Sequence, residues 1–385
     1  VSWGRGLLVL VLGVITISAE AKVDRPPQFV MLAFDNCQEN QTWQEVSSFL
    51  DEVNSIRPDA VHFTFFLSAV GLMSDKARMA YTDPMGRKGA SNIGFGGSEN
   101  DVLQRIAWIN KMHKEGNEMA SHAVGHFSGK NWSVDQWKHE LQQYEHIINH
   151  VAEINDLKGS QVQQGQLSFT YQDMVGFRAP YLDGGPKLNE ALAENQFLYD
   201  TSDTNQGWEP NTWPQKFKGV STAKGLWNFG LSFITMPMTA IKESERLAGH
   251  SRSVRTIKVP AMDYNLCFQQ TGGCPDKDVY ANQADSDAEQ VLHGYLTQFI
   301  ANYNSNRAPI HIGHHFFPYH SGGYDRMLLR FAKAVCTLPE VRCATYKELA
   351  TFMESAGPGA RDAYQAGSFP SSENLKIEDV LKRAL

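Results

Sequence analysis

Short apolar runs alternating with longer amphipathic stretches constrain the fold of this chain more than any other feature. Strand-like runs fall at Phe29–Phe34, Val61–Leu67, Asn117–Ser121, Met174–Arg178, Phe197–Thr201, Thr256–Met262, Ile310–His315 and Arg342–Thr345. Between them, helical periodicity predicts helices over Thr42–Asn54, Glu99–Lys114, Val134–Val151, Lys187–Asn195, Ala288–Tyr303, Arg326–Cys336 and Lys347–Glu354. Strand–helix alternation points to a parallel α/β architecture. The strand runs are apolar on both faces, as expected of strands covered on both sides. A distorted (β/α) barrel over 22–356 accounts for the pattern, with a Gly-, Ser- and Pro-rich tail over 357–385 that ends in a short charged helix at Glu373–Arg383. Gly86 to Gly97 reads as a long loop, and Trp208, Trp213 and Trp227 are either core or the lining of a sugar groove.

The 385 residues are 42% hydrophobic, enough for one large core in a single barrel domain. The formal net charge of -7, with no long block of like charge, argues against nucleic acid as a partner. Arg5, the apolar run Leu7 to Ile17 and Ala19-Glu20-Ala21 read as a secretory signal over 1–21, with the mature chain beginning at Lys22. The expected location is secreted or periplasmic, with no stable membrane anchor after signal cleavage, and the expected state is a monomer. Export suits the cysteines: Cys267 with Cys274 and Cys336 with Cys343 can close short disulfide loops, leaving Cys37 over. Asn40-Gln41-Thr42 and Asn131-Trp132-Ser133 are glycosylation sequons, relevant in a eukaryotic source only.

The chemistry lies at the ends of the strand runs. Asp35-Asn36 ends the first, His122 follows the third, Arg178 ends the fourth, and His314-His315 ends a late one. In a parallel barrel such positions converge on one face, where active sites are built. Three His pairs have i,i+4 spacing: His122/His126, His146/His150 and His311/His315. The second lies in a helical pattern and reads as a solvated surface pair. The first follows a strand and contains Gly125, a context suited to a catalytic metal site with an open position. Together, a carboxylate, a His pair, the turn Phe177-Arg178-Ala179-Pro180-Tyr181-Leu182 and a late His suggest a metal-dependent hydrolase.

This order of motifs resembles the polysaccharide deacetylases, the NodB-homology family or carbohydrate esterase family four, over roughly Phe29 to Met353. The resemblance is closest to secreted chitin deacetylases and their bacterial relatives. It implies Asp35 as general base and a divalent metal, zinc by expectation, on Asn36, His122 and His126. It implies Arg178 pairing with Asp35, and the Tyr181 backbone N–H donating to the oxyanion. Asp200, or Asp203, would orient the late His or shape the acetyl pocket. The lead-in Asn306-Arg307-Ala308-Pro309 places that His, the general acid, at His315, whereas strand alternation puts His314 with Ile312 on the face of the family's signature. Met262-Asp263-Tyr264 is a candidate groove wall. The chain departs from the family at Asn36, where a second acid is usual, and at Ala123, where Ser or Thr is usual.

The implied activity is hydrolysis of N-acetyl groups from N-acetylglucosamine units of a polysaccharide, with peptidoglycan ranked before chitin for a bacterial export product. Two other readings stay open: a carbohydrate-binding pseudoenzyme, favoured by Asn36, and an amidase or other zinc hydrolase on the same barrel.

Overall fold

A computed structural model describes residues 23–195, 197–204, 211–220, 225–238, 255–275, 280–371 and 373–384. The leader and Trp208 lie outside the described residues. Eleven strands are described: β1 (Gln28–Asn36), β2 (Thr64–Leu67), β3 (Glu118–Ser121), β4 (Gly176–Phe177), β5 (Tyr199–Asp200), β6 (Gln215–Lys216), β7 (Trp227–Asn228), β8 (Phe233–Met238), β9 (Arg255–Pro260), β10 (Ile310–His315) and β11 (Val341–Ala344). The main sheet runs β10-β1-β2-β3-β4-β5-β7-β6, and β11 also pairs with β1. Every pairing is parallel except β6 with β7.

The sheet curls back toward its beginning. Beyond β7, the Ser232 N–H donates to the His311 carbonyl at 3.0 Å, and the Gly313 N–H donates to the Ala261 carbonyl at 3.0 Å. Both ends of the sheet therefore meet at β10, and the result is a curled, barrel-like α/β fold with helices packed outside.

Alternation along β1 divides the core in two. Val30, Leu32 and Phe34 pack outward with Trp43, Val46 and Leu50 of the helix Asn40–Ile56. Phe29, Met31 and Ala33 face inward with Phe66, Tyr199, Phe229 and Tyr346. Asp35 continues the inward row at the carboxyl end of the strand. Along β10 the same period puts His311, Gly313 and His315 on one face and Ile312 and His314 on the other. Three outer helices begin with reciprocal capping boxes, Ser98 with Asp101, Ser133 with Gln136 and Thr345 with Glu348, which explains why their starts were readable in the sequence.

Several expectations are corrected. The run Thr256–Met262 lies mostly outside the parallel sheet: its strand β9 pairs antiparallel with β8, and its end, at Met262, bridges Gly313 of β10 in parallel. A helix, Asp263–Thr271, follows it where none was expected, its short pattern being only weakly amphipathic. The last long helix, Tyr346–Ala366, is broken at Gly357, φ 71°, on the expected boundary at 356/357, and resumes at Pro358. The short helix Ile377–Ala384 is docked, with Val380 and Ala384 buried and the Arg330 Nε–H donating to the Ala384 carbonyl at 3.0 Å. Trp213 and Trp227 are core, each nearly fully buried, so neither lines a groove. Both expected disulfides, Cys267–Cys274 and Cys336–Cys343, are formed. Cys37 is buried, and burial pushes its thiol well above the ordinary range, which makes it inert. Among the described residues no helix is long and apolar enough to cross a membrane.

Candidate active site

Asp35, His122, Arg178 and His315 meet at the carboxyl ends of β1, β3, β4 and β10. Asp35 is 1% exposed and takes a 2.7 Å bond from Arg178 Nη1 on Oδ1, while Oδ2 has no partner. Burial opposes its ionisation, but the charges of Arg178, His122 and His315 more than offset this and hold the carboxyl below its ordinary range. Arg178 is itself fully buried. Its Nε–H donates to Thr201 Oγ1 at 2.7 Å, Nη2 to Tyr346 Oη at 3.3 Å, and its plane lies 4.2 Å from the Phe66 ring centroid. Gly313 makes room for it: a Cβ there would stand 2.6 Å from Arg178 Nη1.

The His pair is placed by a strained loop. The His122 N–H continues the sheet by donating to the Leu67 carbonyl, and then Ala123 and His126 take left-handed backbone, φ 58° and 56°. Glu140, fully buried in the helix Val134–Asn149, accepts from the N–H groups of Val124 and Gly125 and from Tyr81 Oη–H, which holds the loop in place. The imidazoles lie 5.1 Å apart. His122 Nδ1 is 2.8 Å from the Arg178 carbonyl, an acceptor only, so the ring proton sits there and Nε2 keeps its lone pair. Burial pulls His122 down to about 4 and His126 to about 3, so both are neutral near pH 7.

These residues pass a test for a cation. His122 Nε2, His126 Nδ1 and Asp35 Oδ2 are buried without hydrogen-bond partners, at the carboxyl end of β1 and in the loop after β3. A neutral imidazole with one nitrogen pinned by backbone, as His122 is by the Arg178 carbonyl, suits a metal site. Asn36 stands at the end of β1 with φ 69°, and its Oδ1 accepts from Ser68 Oγ–H at 3.0 Å. The amide oxygen retains a second lone pair but brings no charge.

Of the two late histidines, His315 is the one on the face of Asp35. Its Nδ1 lies 2.6 Å from Asp263 Oδ1, and its backbone N–H donates to Asp263 Oδ2 at 2.7 Å. Burial lowers its proton affinity, yet the charge and hydrogen bond of Asp263, with Asp35 beyond, raise it above the ordinary histidine value. His314 is on the other face of β10, fully buried, with Nε2 at 3.1 Å from Tyr295 Oη. It cannot reach substrate, and the strand alternation that kept it open is the reason it points away. Asp263, His314 and Asp325 offer ligand atoms within 4.8 Å of one another behind His315, a group able to hold a cation, though Asp263 is already bonded to His315.

Asp200 is the other correction. It does not orient the late His. Its Oδ1 accepts from Ser202 Oγ–H at 2.5 Å, and Ser202 Oγ in turn accepts from the Ala179 N–H at 2.7 Å, so Asp200 supports the Arg178–Tyr181 turn. Burial raises its pKa to about 7. Asp203 accepts from Asn228 Nδ2 instead. In the turn, Tyr181 and Leu182 both adopt left-handed backbone, φ 59° and 58°. The Tyr181 side chain is 57% exposed, its ring lies 4.8 Å from His126, and its Oη accepts from Asn92 Nδ2 at 3.3 Å. Of the other His pairs, His146 and His150 are exposed, and His311 is buried between Phe229 and Tyr346.

Sequence reading missed Asp263 as the partner of His315, and Glu140 and Ser202 as supports. An Asp at the first turn of a helix carries many local explanations, and only the fold brings it to β10.

No family model matches the chain, and no curated protein matches it. Among solved structures, it is similar to a candidate polysaccharide deacetylase from Mycobacterium smegmatis, at 14% identity and TM-score 0.47, covering 87% of this chain and 96% of that one. It is similar to PuuE allantoinase at 12% identity and TM-score 0.47, covering 86% and 92%. A third likeness is BA3943 from Bacillus anthracis, a CE4 family pseudoenzyme, at 10% identity and TM-score 0.38, covering 84% and 66%. These likenesses are remote, and the functional assignment rests on the side chains described above.

Proposed function

We propose that the chain is a metal-dependent N-deacetylase of N-acetylglucosamine units in a glycan. One observation carries the reading: a charge-paired carboxylate, Asp35, and a carboxylate-paired imidazole, His315, lie beside the unpartnered buried ring nitrogens of His122 and His126. Base, acid and ligand atoms are what amide hydrolysis needs in one place.

His122 and His126, with Asn36, would hold a divalent cation, which leaves the free oxygen of Asp35 to act as base. When bound, such an ion polarises the acetyl carbonyl and acidifies water. Asp35, kept ionised by Arg178, accepts the proton of the attacking water. The Tyr181 N–H, in its left-handed turn, is available to donate to the developing oxyanion. Water adds to the acetyl carbon first, forming the carbon–oxygen bond, and the carbon–nitrogen bond then breaks as the oxyanion collapses. Protonated His315 delivers its proton to the leaving amine, and acetate and a free amine result. Its raised pKa suits that role at neutral pH.

The test is acetate release from chitin oligomers and from peptidoglycan, with zinc supplied and with chelator. Release that chelator abolishes supports the reading; no acetate from either glycan overturns it. A second reading, a carbohydrate-binding pseudoenzyme, is favoured by the neutral Asn36. It predicts that Asp35→Asn changes nothing measurable. Loss of acetate release in Asp35→Asn with metal content intact rules that reading out. An exported location and a glycan partner, inferred from the leader and motifs, remain part of the proposal.

A further inference from the structure

Behind His315, side chains from three elements converge. His314 comes from β10, Asp263 opens the helix Asp263–Thr271, and Asp325 lies in the first turn of the helix Gly323–Cys336. A potential ligand atom of each lies within 4.8 Å of the other two. His314 is fully buried and its Nδ1 has no hydrogen-bond partner; Asp325 Oδ1 is likewise buried without one. These two atoms stand 3.8 Å apart.

Hydrogen bonding does not account for this arrangement. A shared proton would draw such a nitrogen and oxygen to about 3 Å. Donor atoms around one zinc-class ion stand roughly 3–4 Å apart, because each bond to the ion is about 2 Å long. The His314 ring is pinned for that role. Its Nε2 lies 3.1 Å from Tyr295 Oη, an oxygen that can accept the ring proton and leave the Nδ1 lone pair free. Asp263 has an acceptor position to spare. Its Oδ1 takes bonds from His315 Nδ1 and the Tyr264 N–H, and Oδ2 takes one from the His315 N–H, out of about four positions on a carboxylate. Among the described residues, neither carboxylate pairs with a Lys or Arg; their ion-pair partners are His315 and His314. Two carboxylates and an unpaired imidazole drawn together out of water are costly unless something joins them. The Asp325 side chain is 25% exposed, which gives an ion a way in.

We propose that Asp263, His314 and Asp325 form a second divalent-cation site, separate from the one at His122 and His126, for an ion of the zinc or manganese class. One imidazole beside two carboxylates suits those ions better than calcium or magnesium, which favour all-oxygen surroundings. The two carboxylates bring charge to the ion, whereas Asn36, His122 and His126 bring none, so this site holds its ion more tightly than the first. An ion here ties β10 to two helices and fixes the carboxylate that orients His315. The site does not depend on the deacetylase reading.

The experiment compares the full chain with Asp325→Ala, with the double variant His122→Ala/His126→Ala, and with all three substitutions together, after circular dichroism confirms folding. Bound metal is counted by elemental analysis after dialysis against buffered zinc, manganese or calcium. The expected result is two zinc ions per chain in the wild type, one in Asp325→Ala, one in the double variant and none in the combination. Adding Asp325→Ala to the double variant should weaken zinc binding by roughly a hundredfold or more. Saturating zinc should raise Tm of the double variant by a few degrees, and that rise should vanish with Asp325→Ala. His314→Gln should act as Asp325→Ala does; if it fails to fold, Asp325→Ala decides. No zinc on the double variant, or equal retention with and without Asp325→Ala, overturns the second site. Retention of calcium in preference to zinc and manganese overturns the assigned ion. A wild type with one ion that Asp325→Ala removes and the double variant keeps supports this site and sinks the metal reading at His122 and His126 instead.

Discussion

Single side chains decide the chemistry proposed for this molecule, and Asn36 is the most consequential. A carboxylate there would add a charge to a site that has two neutral imidazoles and one base. Asn36→Asp should tighten zinc binding by roughly tenfold or more, read by competition with a chromophoric chelator. Unchanged affinity would mean that residue 36 does not face the ion. Asp263 tests the acid. Asp263→Asn removes the charge that raises His315, so the alkaline limb of the kcat profile should move to lower pH, with kcat falling on the order of a hundredfold. A drop in rate with no movement of that limb would assign Asp263 a structural role. Strand ends and i,i+4 spacing brought out Asp35, His122, His126, Arg178 and the pair His314-His315, between which strand alternation favoured His314 and the family resemblance His315. Sequence alone could not find Asp263, whose pairing with His315 spans 52 residues of intervening chain.

At the scale of elements, the His loop depends on a helix that never touches substrate. Glu140 accepts two backbone N–H groups of the loop and the Tyr81 hydroxyl. Glu140→Ala would bury those donors unpaired and should destabilise the chain by about 3 kcal/mol, seen as a lower urea midpoint, with weaker zinc binding. Stability equal to wild type would show that the loop holds itself. Strand and helix positions were largely legible because period-two and period-3.6 patterns, with capping boxes, are local signals. β9 was legible as a strand but its antiparallel pairing was not, because an apolar run reads alike whether its partner is parallel or antiparallel, and β8 was not picked out. The helix after β9 was missed since its burial is set by β10 rather than by its own periodicity.

Across the whole molecule, His62 beside β2 and Glu348 at the start of the last long helix tie the sheet to that helix, Nδ1 to Oε2 at 3.5 Å. The Glu348 bond raises His62 above its ordinary 6.5. Burial works against Glu348, but the His62 bond and the Thr345 N–H bring it down to about 2. The glutamate contribution is present above its unfolded value of 4.5 and is lost as pH falls toward 2. The histidine contribution is complete below 6.5 and is lost as pH rises through its raised value. Glu348→Gln keeps the capping geometry and should lower Tm most between these limits, with a smaller difference on either side. A pH-independent difference would assign the loss to packing.

The amino-acid order by itself determined most of the strands and helices, the parallel α/β character of the fold, and which residues stand at the ends of the main strands. Those facts are local, being fixed by periodicity, β-branching and turn chemistry within a few residues. Only the tertiary structure decided that His315 faces the site while His314 faces Tyr295, that Asp263 rather than Asp200 holds the acid, and that Trp213 and Trp227 are core. Each of those depends on which face of a strand the curled sheet turns inward, and that is set by contacts between residues far apart in the chain.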